Sequence, residues 1–223
     1  IKKINDIKSG PIIFIGNEFF DSLPIKQVYK EREKFFEKHV TFSKFNKKLE
    51  FLYKKANKKL ILDIKKHNLI LNDGVIEYPI VAIKYLKIIS KKLKKYNGGL
   101  LSFDYGYLNK KMKNTIQAVS KHKYTDVLNS FRNSDITYNL SFNLVSKIIK
   151  KMGSFSQATT TQKKFLTKLG ILERAEILSK NMLFSKKADL YFRIKRLIDE
   201  KQMGNLFKVA FITNKKNKFK LGF

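Results

Sequence analysis

Cysteine and tryptophan are absent from the 223 residues, so a disulfide framework and a thiolate metal site are both excluded. Histidine is scarce. His39, His67 and His122 stand far apart in the sequence, and an imidazole-based zinc site is not expected. Three prolines and ten glycines punctuate the chain, and no two glycines form a G-x-G pair. No two glycines stand five apart before a lysine either, so the G-x-G-x-x-G turn and the P-loop are both absent from these residues, and with them the backbone cradle such turns offer a phosphate or dinucleotide. No G-x-S-x-G occurs and no serine adjoins a histidine in a recognisable turn, which argues against a nucleophilic triad. No apolar run approaches the roughly 18 residues needed to span a bilayer, and no secretory leader pattern stands in the sequence.

Acidic residues are also few: 18 Asp+Glu face 48 Lys+Arg, for a formal net charge of +30. Such a balance invites a nucleic-acid reading, because clustered cations release counterions from phosphate. The kind of cation argues otherwise. Arginine occurs only at Arg32, Arg132, Arg174, Arg193 and Arg196, whereas bidentate recognition of phosphate or guanine favours its planar guanidinium. The lysines are spread along the whole chain beside abundant Asn, Ile and Phe, a pattern of coding bias more than of a binding surface. With 43% hydrophobic residues the chain is expected to fold. At this length a domain buries about 70% of its unfolded surface.

Pro11 to Ile15 is a short apolar run closed by Gly16, which predicts a buried strand of a parallel sheet. Lys26 to Asp73 reads as strand with basic interruptions, notably Lys59 to Ile64 and Leu69 to Leu71. Asn72-Asp73-Gly74 supplies turn chemistry, and Val75 to Tyr78 the returning strand of a hairpin. Pro79 opens a helix with Ala82, Ile83, Leu86, Ile89 and Leu93 on one face and lysines mainly on the other. Asn97-Gly98-Gly99 ends it, and Leu100 to Phe103 runs as a second buried strand into Asp104-Tyr105-Gly106. Leu140 to Met152 is predicted helical with Gly153 as its stop, and Thr159, Thr160 or Thr161 caps a helix holding Phe165, Leu166 and Leu169. A third helix covers about Lys187 to Gln202, and Leu206 to Thr213 forms a final buried strand. The expected architecture is one α/β domain, with a β insertion over 26–78, a helical insertion over 159–202 and a basic tail over 214–223.

Chemistry concentrates at two strand ends: Asn17, Glu18 and Asp21 after the first, Asp104 and Tyr105 after the second. Open α/β sheets place their ligands at such carboxyl ends. A lone strand-end acid is more often a cap or a loop ion pair. Asn-Glu with Asp three residues on, held between a buried strand and Pro24, is more informative, because paired carboxylates are the natural receptor for a guanidinium.

Those residues carry a resemblance. Gly16-Asn17-Glu18-Phe19-Phe20-Asp21-Ser22-Leu23-Pro24-Ile25 resembles the "ANE-hydrophobic-hydrophobic-DALPV" signature of the MidA-type S-adenosylmethionine-dependent methyltransferases, a family that includes a mitochondrial complex I assembly factor. Further matches follow in order: Gly98 to Gly106 resembles "GG-apolar-DYG", Thr115 to Val119 with His122 resembles "TLQAV…H", and Asp135-Ile136-Thr137 resembles "DLT". Thr161 to Leu166 with Leu169-Gly170-Ile171 resembles "TQ-x-x-FL…LGI", and Met203 to Val209 resembles "MG-x-LFKV". The chain departs where the family has "W-x-E-R-x-V", offering Phe35 or Phe36, Glu37, Lys38 and Val40. It departs again after Thr137, with Tyr138-Asn139-Leu140 in place of "AHV".

The resemblance implies a Rossmann-like methyltransferase sheet, of which this chain, beginning at Ile1, is the C-terminal portion, without the acidic and glycine-rich strand-turn that cradles S-adenosylmethionine. It implies methyl transfer to an arginine nitrogen of a respiratory complex I subunit. Glu18, with Asp21, would bind the guanidinium and Asn17 would orient the loop, while Pro24, Asp104, Tyr105 and Gln162 would border the substrate. The cofactor would be S-adenosylmethionine at a site incomplete in this chain, with its cofactor-binding residues unassigned and no metal. The setting would be the bacterial cytoplasm or the mitochondrial matrix, with a protein substrate, a homodimer allowed, and neither nucleic acid nor a membrane span expected. Two alternatives stay open on the residues alone: an inactive remnant that serves complex I assembly as an interaction module, and a basic nucleic-acid binder.

Overall fold

The computed structural model describes residues 4–69, 73–109, 111–121, 123–129, 133–217, 219 and 221–223. Ile1, Leu71, Asn72, His122 and Arg132 lie outside the described residues. The chain opens with strand β1 (Ile12–Asn17) and continues through β2 (Lys26–Glu31), β3 (Lys34–Ser43) and β4 (Lys48–Lys55). Helix α1 (Lys58–Lys66), strand β5 (Gly74–Tyr78) and the long helix α2 (Ile80–Tyr96) lead into β6 (Gly98–Tyr107). Short strands β7 (Gln117–Ser120), β8 (Lys123–Thr125), β9 (Asp135–Thr137) and β10 (Leu140–Ser141) precede helix α3 (Phe142–Met152). The remainder is β11 (Phe155–Thr161), helices α4 (Gln162–Lys168), α5 (Ile171–Ser179), α6 (Phe184–Ile198) and α7 (Met203–Leu206), and strand β12 (Phe207–Asn214).

The main sheet runs β1-β6-β12-β11. β1 and β6 are parallel, from Ile12↔Gly98 to Asn17↔Phe103, while β12 lies antiparallel between β6 and β11. Parallel neighbours need a crossover. Here it includes the antiparallel β4-β3-β2-β5 sheet and α2. Helices α2 and α3 pack on each other and on the main sheet, burying Leu86, Leu93, Ile148 and Ile149 against Leu100 and Ile212. Each such aliphatic side chain stabilises the fold by about 1.5–3 kcal/mol.

Several local expectations give way to tertiary context. Lys59 to Ile64 is helical, not extended: Leu60 and Ile64, one turn apart, are both buried, and the Asn57 side chain accepts from the Lys59 amide at 2.8 Å. A short apolar run suits either structure, and its cap decides. Val75 to Tyr78 does not return beside its predecessor, because α1 intervenes; β5 pairs instead with β2, Tyr78 opposite Lys26. β1 is parallel as expected but is not buried on both faces. It forms the edge of the described sheet, with Ile13 and Ile15 66% and 71% exposed. Thr159 to Thr161 belong to strand β11, and only Thr161 acts as a cap, its hydroxyl accepting from the Lys164 amide. Asp104 and Tyr105 fall inside β6 instead of beyond it, because β12 pairs as far as Tyr105 and β10 continues the ladder to Tyr107.

The basic tail does not simply trail into solvent. Phe223 packs on Phe165 and Phe211 with ring centroids 5.2 and 6.3 Å away, covering part of the sheet face opposite α2 and α3. One close approach ties the sheet together at its start. Gly98 has φ +105, and a Cβ there would lie 1.8 Å from the Ile12 carbonyl oxygen. Replacing Gly98 with Ala is expected to lower the unfolding free energy by about 2 kcal/mol or more, read from urea denaturation; an unchanged midpoint would contradict this packing.

Candidate functional site

The carboxyl ends of β1 and β6 carry the site. β1 pairs with β6 as far as Asn17, and the Glu18 amide extends the ladder by donating to the Phe103 carbonyl at 2.8 Å. Glu18 then turns into the left-handed region with φ 49, an unfavourable conformation for a residue with a Cβ. The turn lifts the chain off the sheet. Asn17 and Glu18 are exposed, and the Asn17 side-chain amide donates to Glu18 Oε1 at 3.4 Å.

The next residues fold back under control of Asp104. Its Oδ1 accepts the Phe20 and Asp21 amides at 2.9 and 3.3 Å, and its Oδ2 accepts the Ser102 hydroxyl. The side chain is wholly buried and both its oxygens are occupied by these donors, so it acts by fixing the loop. Burial pushes its carboxyl up to about 6, with the Ser102 hydroxyl and the loop amides opposing. On the far side of the loop, the Tyr138 amide donates to the Asp21 carbonyl at 3.0 Å. Asp21 is thereby held from both ends.

Asp21 is 1% exposed, and neither of its carboxylate oxygens has a hydrogen-bond partner of good geometry among the described residues. Burial, then the charges of Asp104 and Glu18, raise its pKa to about 7. Tyr138 is also buried with an unpartnered hydroxyl, and burial, then Asp104 and Asp21, hold that phenol well above its ordinary range. Asp21 and Tyr138 line a cavity of about 290 Å³ whose mouth includes Pro24, Ile116 and Ile136. Orphaned buried acceptors are costly. The three oxygens lie behind the cavity wall, closed off from solvent and from any cation.

The loop forming the other wall is held by a second buried carboxylate, Glu77. It accepts from Gln27 Nε2, the Thr115 amide and the Thr115 hydroxyl at 2.8, 2.8 and 2.5 Å, and from the Ile116 amide at 3.3 Å. Tyr105 stands beside the carboxylates: burial, then Glu18 and Asp21, raise its phenol, and its ring leans on Phe207 at 4.1 Å. Gln162 is not part of the cavity. Its Nε2 donates to the Leu197 carbonyl at 3.0 Å, fastening α4 to α6, and it begins α4 two strands away from β6, about 10 Å across the sheet. Sequence reasoning overlooked Tyr138, Ile116 and Glu77 as parts of this site. The first two fall in or beside recognised motifs, but nothing local shows that they converge on Asp21.

A raised carboxyl has a linkage consequence. Asp21 ionises near pH 4 in the unfolded chain and near 7 in the folded one, so its contribution is intact below about pH 4 and is lost as pH rises toward 7. Asp21→Asn removes that loss. Its melting temperature relative to the unsubstituted chain is expected to be higher at pH 8 than at pH 4, and an equal offset at both would show that Asp21 titrates normally.

Comparison with known proteins places the chain in a family. Residues 1–160 match the family model described as "Putative S-adenosyl-L-methionine-dependent methyltransferase". Curated relatives are the mitochondrial protein arginine methyltransferase NDUFAF7 of Xenopus tropicalis, 28% identical over 207 residues, and its Caenorhabditis elegans homologue, 29% identical over 180. These alignments take in 92% and 78% of this chain but 47% and 41% of the relatives, so the chain spans about half the length of the curated relatives it matches. The fold is that of a Burkholderia thailandensis protein crystallised with S-adenosyl-homocysteine, with TM-score 0.79 and 19% identity over 100% of this chain and 58% of that one. With the family model covering well over half of its residues, and with its strand-end Asn-Glu loop set on a Rossmann-like sheet, the chain belongs to this S-adenosyl-L-methionine-dependent methyltransferase family.

Proposed function

We propose that this chain supplies the substrate side of an S-adenosylmethionine-dependent protein arginine methyltransferase. The observation that carries the reading is the buried Asp21 carboxylate, with no cation beside it among the described residues and set behind the wall of a cavity of about 290 Å³. A guanidinium is the side-chain cation with enough donors, in a planar fork, to satisfy Asp21 and Tyr138 together. The names of the relatives support the same choice, as protein arginine methyltransferases.

The residues present fit the methyl donor only where its reactive end would meet the substrate. Asn17 and Glu18 stand exposed at the strand end, while no glycine-rich turn lies in the sequence. When bound, S-adenosylmethionine supplies a methyl group activated by its sulfonium. The chain's own residues then prepare the nucleophile. Asp21 takes two guanidinium N–H groups, and Glu18 draws on a third, concentrating electron density on the nitrogen that faces the donor. Burial at Asp21 excludes water, so these contacts are strong and hold one orientation. Asn17 occupies Glu18 Oε1, which leaves Oε2 to accept the proton released from the methylated nitrogen and pass it to solvent. A complex I subunit as the methylated protein, in a mitochondrial matrix or bacterial cytoplasm, is the substrate and setting this reading favours.

The test uses a chimera that joins these residues to the part of the Xenopus tropicalis relative outside the matched region, assayed for methyl transfer from labelled S-adenosylmethionine to an arginine peptide. Glu18→Gln and Asp21→Asn are each expected to cut turnover about 100-fold or more, with unchanged circular dichroism. Turnover should also fall as pH drops below about 7, where protonated Asp21 no longer holds the cation. Undiminished turnover in both variants would overturn the reading, and a chimera that is folded but inert would favour an interaction module.

A further inference from the structure

The cavity at Asp21 is not closed at its outer end. A second cavity of about 330 Å³ adjoins it, and the two share Ile25, Ile116 and Ile136 as common walls. The second continues onto the hairpin of the antiparallel sheet, where Val40 and Phe51 face each other across β3 and β4. Its far wall carries Lys38, whose ammonium lies 3.6 Å from the centre of the Phe51 ring. Glu37, the neighbouring acid, turns to the buried side and pairs with Lys26, lying 3.8 Å from His39 Nε2. The trough therefore runs from the wall that covers Asp21, between aliphatic sides, to the Lys38 ammonium at its other end.

We propose that this trough binds an extended peptide segment in which the arginine destined for Asp21 is followed, in one chain direction, by aliphatic residues and then by an acidic side chain at Lys38. The inference rests on the reading of Asp21 as the guanidinium carboxylate and adds the recognition of the flanking sequence. Charge complementarity selects this occupant: a peptide with basic flanks meets repulsion at the rim, and one with polar flanks leaves the Ile25, Ile116 and Ile136 walls uncovered. In a chain carrying net charge +30, an acidic flank also gains long-range attraction during encounter. The antiparallel sheet thus acts as a substrate-reading platform, and Lys38 and Val40 are its specificity residues.

The test is fluorescence anisotropy on the full 223-residue chain, with a labelled peptide holding one arginine, three aliphatic residues and one aspartate, offered in both chain directions. Asparagine in place of the aspartate is expected to weaken binding about 5-fold, citrulline in place of the arginine about 10-fold, and Ile136→Glu about 10-fold. Lys38→Glu should weaken the aspartate peptide and tighten a counterpart carrying lysine at that position, with the melting temperature of the variant unchanged. A charge swap without that reversal, or binding indifferent to Ile136→Glu, overturns the trough. If citrulline and Asp21→Asn cost nothing while the swap and Ile136→Glu behave as stated, the trough stands and the guanidinium reading falls. Loss confined to citrulline and Asp21→Asn has the opposite meaning.

Discussion

The site depends on the Asp104 carboxylate. It is withdrawn from water into strand β6, where burial alone would disfavour its charge, and it is compensated by the Ser102 hydroxyl and by the amides of Phe20 and Asp21. Those two amides belong to the loop that leaves β1, so one buried acceptor couples the central strand to the strand-end loop. Breaking such an arrangement leaves both the donors and the acid unsatisfied, which costs far more than the net worth of the bonds. The left-handed Glu18 is tolerated for the same reason: the Phe103 carbonyl holds its amide on one side and Asp104 holds the residues that follow.

Two carboxylates close together in space are given different tasks by their surroundings. Asp104 spends its oxygens on the protein. Asp21 lies equally deep but next to a cavity, and burial with the charges of Asp104 and Glu18 raises its pKa. A cation of the right shape beside it removes that penalty. Glu77 repeats the logic of Asp104 on the opposite wall, with its acceptor capacity used to hold Thr115 and Ile116 in place.

The charge of the chain is a surface property. Lysines occupy the outer sides of α2 and α3, where bases in the last turns also meet the helix C-terminal carbonyls favourably. The antiparallel sheet carries lysines beside exposed Val40, Phe42 and Phe51, where Lys38 adjoins the trough. Among the described residues no helix is long and apolar enough to cross a membrane.

The sequence by itself determined what depends on neighbours along the chain. Helical spacing marked α2 and α3, the Pro79 and Gly153 boundaries held, and the apolar runs at Ile12, Leu100 and Phe207 are strands. The Asn17-Glu18 motif pointed to a strand-end site because residue order alone places it after β1. Tertiary structure decided what depends on distant partners. The polar run before Thr161 became a strand because β12 offered an edge, and Lys59 to Ile64 became a helix because one of its faces could be buried. Tyr138 and Ile116 reached Asp21 through long-range hydrogen bonds with no local signature. Above all, three neighbouring acids with the same side-chain chemistry were divided between solvent, cavity and scaffold by burial, a quantity that residue order does not contain.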